Sequence, residues 1–230
     1  AIVNSTSNGI INIEESDSGM GMSSVGGLVA VSTAEQVVID GAESNVDISV
    51  DSACSMGCYV GGLVGTSGGF MGDGSGFGGI VGIYDSKSHG DIDVNAGTFA
   101  FVGGSNGLFF NDAAVIDGYE RTGSITTSNG LVLVGGLSGA SYAADTSVYG
   151  AEIKGSIDIA SGTINPEDIV GSTSFFMPLP VGDFSIGVGG GLMGAMASAS
   201  ADIEKSYVSG NVSSPFVAGG MVGATVGVDV

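Results

Sequence analysis

The chain has no tryptophan, one histidine, two cysteines, four prolines and four basic residues in 230 positions. Each shortage removes a class of function. Lys87, Arg121, Lys154 and Lys205 stand against 24 acidic residues, a net charge of −20, so no basic patch can form. Nucleic acid is excluded as a partner on that ground, and so is a polybasic contact with a membrane surface. Zinc needs four ligands, and His89 with Cys54 and Cys58 makes no such set. The CSMGC spacing of Cys54 and Cys58 also fits neither haem attachment nor a thioredoxin CxxC. The pair is either a small local disulfide, which an oxidising compartment would allow, or two free thiols. The longest charge-free, apolar-leaning stretch, 186–201, is too short and too rich in Gly and Ser to span a membrane as a helix. No basic-plus-apolar leader precedes AIVNSTSNG, which fits a processed mature protein or a segment cut from a longer one. A single glutamine, Gln36, offers no side-chain ladder for a curli-type amyloid. Threonines are too scattered for the flat row of an ice-binding solenoid.

What the chain has in excess is glycine, 44 of 230, with no G-X-Y period and with 43% apolar residues beside it. Glycine supplies the positive φ of tight corners, and the accompanying Val, Ile and Thr suit strands. The glycines are ordered. A Gly-Gly doublet in an apolar hexapeptide recurs as VGGLVA (25–30), VGGLVG (60–65), VGGSNG (102–107), VGGLSG (134–139), VGGGLMG (188–194) and AGGMVG (218–223). It alternates with pairs of β-branched anchors nine apart: Ile2/Ile11, Ile39/Ile48, Ile83/Ile92, Ile116/Ile125, Val148/Ile157 and Ile203/Val212. A glycine sits two before the second anchor at Gly9, Gly90, Gly123, Gly155 and Gly210, with Val46 the exception.

Self-similarity at a nearly fixed period predicts a stacked repeat architecture. Around the second anchors, DISV (47–50), DIDV (91–94) and SIDI (156–159) alternate with a period of two, the pattern of half-buried strands. The expected fold is all-β, a repeat β-solenoid or β-helix-like stack of about six coils. One repeat domain covers 1–230, with insertions at about 66–79 and 161–187. Six coils at strand spacing would extend about 30 Å. The anchors from Ile83 to Val212 should be buried and stacked on one another. From the first glycine of a doublet to the next anchor the step is 13 in three repeats, 22 in the second and 14 in the fifth, counted from Gly189.

The first insertion, TSGGFMGDGSGFGG, reads as a loop or an extra half-coil. The second contains Pro166, Pro178 and Pro180 with Phe175, Phe176 and Met177, and prolines argue against an internal strand. Such an apolar excursion either folds back over the core or meets another subunit.

With these motifs placed, the chain resembles the GLUG-motif repeats of bacterial surface proteins. The matching stretches are VGGLVG (60–65) and its relatives, with IVNSTSNGII (2–11), IYDSKSHGDI (83–92) and IEKSYVSGNV (203–212). Tyr119 and Ala151, at the Ser position, read as ordinary drift. The resemblance implies an extracellular, solenoid-like structural role in adhesins or stalks, and it carries no catalytic residue over.

As an enzyme the sequence offers little. His89 sits in a turn-like SHGD. Asp91 and Asp93 flank Ile92 on one strand face and could serve a polysaccharide hydrolase, the remotest reading. The same two residues and Asp73, in a GDGSGFGG that resembles a calcium-binding nonapeptide, are the metal candidates, and calcium is the cofactor they would take. The two leading readings are a secreted filament subunit that stacks head to tail with itself and a repeat segment of a large surface adhesin completed by its neighbouring repeats. Uncapped solenoid ends expose bare strand edges. The assembly candidates are therefore the apolar termini, Ala1, Ile2 and Val3 at one end and Val226, Val228 and Val230 at the other. Phe175, Phe176 and Met177 join them. The last doublet begins at Gly219, so its anchor falls at position 232, where Ile2 of a following copy would lie.

Overall fold

The structure, a computed structural model, describes residues 1–14, 22–51, 57–68, 79–96, 99–160 and 187–225. Among the described residues the regular elements are all strands, wound into six coils. The first coil holds β1 (Ile2–Val3), β2 (Thr6–Ile13), β3 (Met22–Gly26) and β4 (Val29–Ser32). The second holds β5 (Gln36–Asp40), β6 (Glu43–Asp51), β7 (Gly57–Gly61) and β8 (Val64–Gly68). In the third the long second strand divides, giving β9 (Ile80–Tyr84), β10 (Lys87–Ser88), β11 (Ile92–Asn95), β12 (Phe99–Gly103) and β13 (Asn106–Phe110). The fourth repeats this as β14 (Ala113–Asp117), β15 (Glu120–Arg121), β16 (Ile125–Ser128), β17 (Leu131–Gly135) and β18 (Ser138–Ser141). The fifth is β19 (Asp145–Tyr149), β20 (Glu152–Ile153), β21 (Ile157–Ile159), β22 (Gly187–Gly190) and β23 (Met193–Met196). The sixth is β24 (Ser200–Glu204), β25 (Tyr207–Val208), β26 (Val212–Ser213), β27 (Val217–Gly219) and β28 (Val222–Thr225).

Equivalent strands of successive coils pair in parallel and form four sheets. Sheet A runs β1-β5-β9-β14-β19-β24 and sheet B contains the second and divided strands. Sheet C runs β3-β7-β12-β17-β22-β27 and sheet D β4-β8-β13-β18-β23-β28. The anchors read from the sequence are register partners throughout. Ile2, Ile39, Ile83, Ile116, Val148 and Ile203 align in sheet A. Ile11, Ile48, Ile92, Ile125, Ile157 and Val212 align in sheet B. The fold is the all-β solenoid the repeat predicts.

Each coil folds inward on itself. The strands of sheets C and D are joined by the doublet corner, and the tip of this hairpin reaches sheet B: a Cβ on Gly62 would strike Ser88, and one on Gly104 would strike Arg121. The hairpin divides the interior into two cores. On one side Ile39, Ile83, Ile116 and Val148 of sheet A pack with Leu63, Leu137, Leu192 and Phe109. On the other, Ile48, Ile92, Ile125 and Ile157 of sheet B pack with Val60, Val102 and Val134 of sheet C. At the base of the hairpin Tyr59, Phe99, Phe101, Phe110 and Tyr142 gather in a smaller aromatic cluster.

Two of the four corners have constant length. The A-to-B corner and the C-to-D corner are two residues long in all six coils. At the A-to-B corner, Asn4, Gly41, Asp85, Gly118, Gly150 and Lys205 all have φ between 44° and 73°. This left-handed conformation explains why Gly or a short polar residue fills most of these positions. The C-to-D corner is the doublet, where the reason for glycine is steric. A Cβ on the first glycine would approach the carbonyl three residues on closer than 3.0 Å in every coil.

Several sequence expectations need correction. In VGGGLMG the register places Gly189 beside Val134 and Ala218, and Gly190 beside Gly135 and Gly219. The extra glycine therefore occupies the Val position of the strand, and the step from Gly190 to Ile203 is the standard 13. The first insertion is shorter than 66–79, because Thr66, Ser67 and Gly68 continue β8 and pair with Leu108, Phe109 and Phe110. Ile80, Val81 and Gly82, just past that insertion, open the sheet A strand β9. Ile203 and Val212 are half-buried while the anchors from Ile83 to Ile157 are at most 2% exposed, because no described coil lies beyond the sixth.

Tyr119 is not drift. It is fully buried, and its hydroxyl shares a 2.6 Å hydrogen bond with Ser88. Beside it Arg121 is 1% exposed and donates to Ser88 Oγ (3.0 Å), the Gly90 carbonyl (3.1 Å) and the Ser124 carbonyl (2.9 Å). Burial pushes the Tyr119 pKa up to about 12 and lowers that of Arg121. Tyr119 and Arg121 together fill the space that Ser86 and Ser88 occupy one coil earlier.

Candidate functional site

Sheet B carries the acidic face. Its side chains alternate, Ile92 and Val94 buried, Asp91 and Asp93 exposed. The strand divides at the glycine before the second anchor, where a Cβ on Gly90, Gly123, Gly155 or Gly210 would meet the preceding coil's carbonyl closer than 3.0 Å. Val46 escapes the rule because β6 runs unbroken against β2. Carboxylates knit the division together. Asp47 Oδ1 accepts the Asp91 N–H at 3.0 Å, and Asp91 Oδ1 accepts both the N–H and the hydroxyl of Ser124 at 2.8 Å. These bonds, the Ser124 hydroxyl first, hold the Asp91 carboxyl below the usual carboxylate range. The Asp91 side chain is thus engaged between coils. Among the described residues no three His, Cys, Asp or Glu side chains group to hold a metal ion. His89 Nδ1 shares a 2.8 Å hydrogen bond with Thr122.

All four basic residues are engaged within the chain. Lys87 and Lys154 bracket Glu120 at 3.2 and 2.9 Å, and Lys154 also reaches Glu152 at 3.1 Å. The lysine hydrogen bonds, Lys154 first, lower the Glu120 pKa. Lys205 lies 4.8 Å from the centre of the Tyr149 ring, and Arg121 is interior. Positive charge is spent on internal contacts, so the remaining acidic surface faces outward uncompensated.

The candidate assembly residues lie on the first coil or outside the described residues. Ile2 is half-buried and pairs with Ile39, Val3 is 49% exposed, and Ala1 is exposed. Phe175, Phe176, Met177, Val226, Val228 and Val230 lie outside the described residues, as do Asp73 and Cys54. Cys58 is buried in the sheet B–C core and is disulfide-bonded.

The outer faces of the first and sixth coils are unlike the interior coils in two respects. Among the described residues, apolar positions are uncovered there: Val31 is 53%, Phe216 65% and Met221 36% exposed. Backbone groups also lack a neighbouring coil. At each doublet corner an N–H donates to the next coil, as Leu63 does to Ser105 at 3.0 Å and Leu192 to Met221 at 2.8 Å. The corner donors of the sixth coil, Gly220 and Met221, have no described coil beyond them. The sequence pointed to the chain termini, but missed Val31, Phe216 and Met221. The signal available was the column, since Val31 aligns with Thr66 and Met221 takes the corner step that Leu192 holds one coil earlier.

Among the described residues no helix is long and apolar enough to cross a membrane. Compared with known proteins, the chain matches no protein-family model, no curated protein and no solved structure.

Proposed function

We propose that this chain is an extracellular structural protein that stacks head to tail with copies of itself into a filament. The observation that carries the reading is the pair of coil faces, on the first and sixth coils, that no described residue covers, where apolar side chains and strand edges are left as the neighbouring coil would meet them. An uncapped parallel edge is a template for another strand, and a heterologous contact of this kind does not close. The disulfide at Cys58 supports an oxidising, extracellular setting. The acidic surface keeps such rods apart, so close lateral contact needs salt or divalent cations. No cofactor enters the reading, and its partner is a second copy.

A second reading follows from the same faces and from the likeness of the motifs to GLUG repeats. In a larger surface adhesin, further coils of the same polypeptide would cover them. The mass and form of the material separate the two. A 22.4 kDa chain that forms ordered rods at high and low ionic strength, with an axial rise of about 30 Å per chain, supports the filament. A stable monomer in both conditions removes the filament and leaves the adhesin segment.

A further inference from the structure

Glycine in this stack is dictated by neighbouring coils, and the rule can be read at its two open faces. At the second glycine of the doublet, a Cβ on Gly27, Gly62, Gly104, Gly136 or Gly191 would meet the same column's carbonyl in the following coil closer than 3.0 Å. Gly220 is the sixth of this series. Its Cβ would meet no described atom within 4 Å, and its φ is not positive, so nothing described requires glycine there. The missing neighbour is a following coil. A second rule runs the other way in sheet D. A Cβ on Gly107, Gly139, Gly194 or Gly223 would strike the carbonyl of the preceding coil, and Gly65 faces that of Ala30. The first coil breaks this rule, because Ala30 stands in the column where every later coil has glycine.

We propose that the sixth coil receives the first coil of a second copy in the internal register, with a joint looser at sheet D than any rung within the chain. Ile2 then lies on Ile203, Ile11 on Val212, and the Gly27 carbonyl over Gly220. The inference rests on the filament reading above. The partner is a second copy because the columns match: half-exposed Ile203 and Val212 meet half-exposed Ile2 and Ile11, and corner donors meet corner carbonyls. A foreign ligand gives no reason for glycine at 220. At the same junction the Ala30 Cβ stands against the Gly223 carbonyl, an approach that no internal rung contains. The joint therefore opens before any coil does, and a filament comes apart into whole subunits.

The test compares the full chain with Gly220→Val and Ala30→Gly, measuring the critical concentration for rod assembly by sedimentation and imaging. Circular dichroism melting of each monomer serves as the folding control. Gly220→Val should raise the critical concentration roughly tenfold or more, and Ala30→Gly should lower it a few-fold, both with unchanged melting. Rods that form equally from all three proteins would overturn the register and leave the filament reading standing. Loss of assembly in Gly220→Val with no gain in Ala30→Gly would overturn the loose joint. A wild-type chain that never polymerises removes the filament reading and this inference with it.

Discussion

Leu137 and Leu192, in the fourth and fifth coils, are fully buried, whereas Met221 at the same step of the sixth coil is 36% exposed. Val148 is 1% exposed, while Ile2 and Ile203, its partners at the two ends of sheet A, are half-buried. The coils carry the same pattern, so the difference lies in their neighbours. Burial in a solenoid is a nearest-neighbour property: a coil supplies half of each interface and depends on the next coil for the other half. Interior coils are therefore stable by position, and the end coils by whatever stacks on them.

The sharpest way to break this comparison is to put one substitution at both places. Gly104→Val drives a side chain into the Gly136 carbonyl and the Arg121 stem, and should cost about 4 kcal/mol or more in chemical denaturation. Gly220→Val, in the equivalent position with open space, should change monomer stability by less than about 0.5 kcal/mol. Equal losses at the two sites would mean that the corner conformation, and not the neighbouring coil, demands glycine.

Next in size is the anchor comparison. Ile116→Ala opens a cavity between buried neighbours and should cost about 2–5 kcal/mol, with Ile203→Ala clearly less. The melting temperatures of the two variants check this, and an end anchor that costs as much as an interior one would refute the nearest-neighbour account. Arg121→Met sharpens the contrast within the interior. Similar volume is kept, but Ser88, Gly90 and Ser124 lose their donor, and orphaned acceptors of this kind cost about 1–3 kcal/mol. Urea unfolding of this variant, with Lys205→Met as the end-coil control, reads the difference.

The smallest effect concerns acid. The Asp91 and Glu120 pKa values are lowered in the folded chain by Ser124 and by the two lysines respectively. Their contribution is therefore complete above the ordinary carboxylate pKa of about 4, and it is lost as the pH falls through the lowered values. Asp91→Asn keeps an acceptor for Ser124 and should flatten the acid limb of the stability–pH curve, with little change at neutral pH. An unaltered acid limb would show that the carboxylate's charge adds nothing to the inter-coil bond.

The sequence made the stack legible wherever contact rules fall on single residues. The anchors were found because inward β-branched residues recur at a fixed step, and every pair later proved to be in register. Gly189 was misread because three consecutive glycines look alike, and only the carbonyl contacts decide which of them turns the corner. Tyr119 and Arg121 were missed for a different reason. An Arg in a polar turn reads as solvated, and its burial shows only when its column (Ser7, Ser44, Ser88, Arg121, Ile153, Val208) is aligned and seen to point inward. The open faces were half legible: apolar termini hinted at them, but Gly220 and Ala30 have meaning only against the interior coils.

The two-residue corners between sheets A and B and between sheets C and D carry a consequence for how the molecule can vary. Those corners never change length, while the B-to-C connection ranges from two residues, 129–130, to 27, at 160–186. The D-to-A connection likewise ranges from two residues to 11, at 69–79. The B-to-C connection ends and the D-to-A connection begins at the base of the C–D hairpin, where Phe99 and Phe110 share one cluster. Sequence can therefore be lengthened there without altering the rise of the stack, since Ile157 still pairs with Val212, and Leu133 with Val188, across the longest connection. One flank of the rod is held constant and the opposite flank is free to diversify. A grafted epitope, or a segment acquired in evolution, would be presented there at intervals set by the strand spacing.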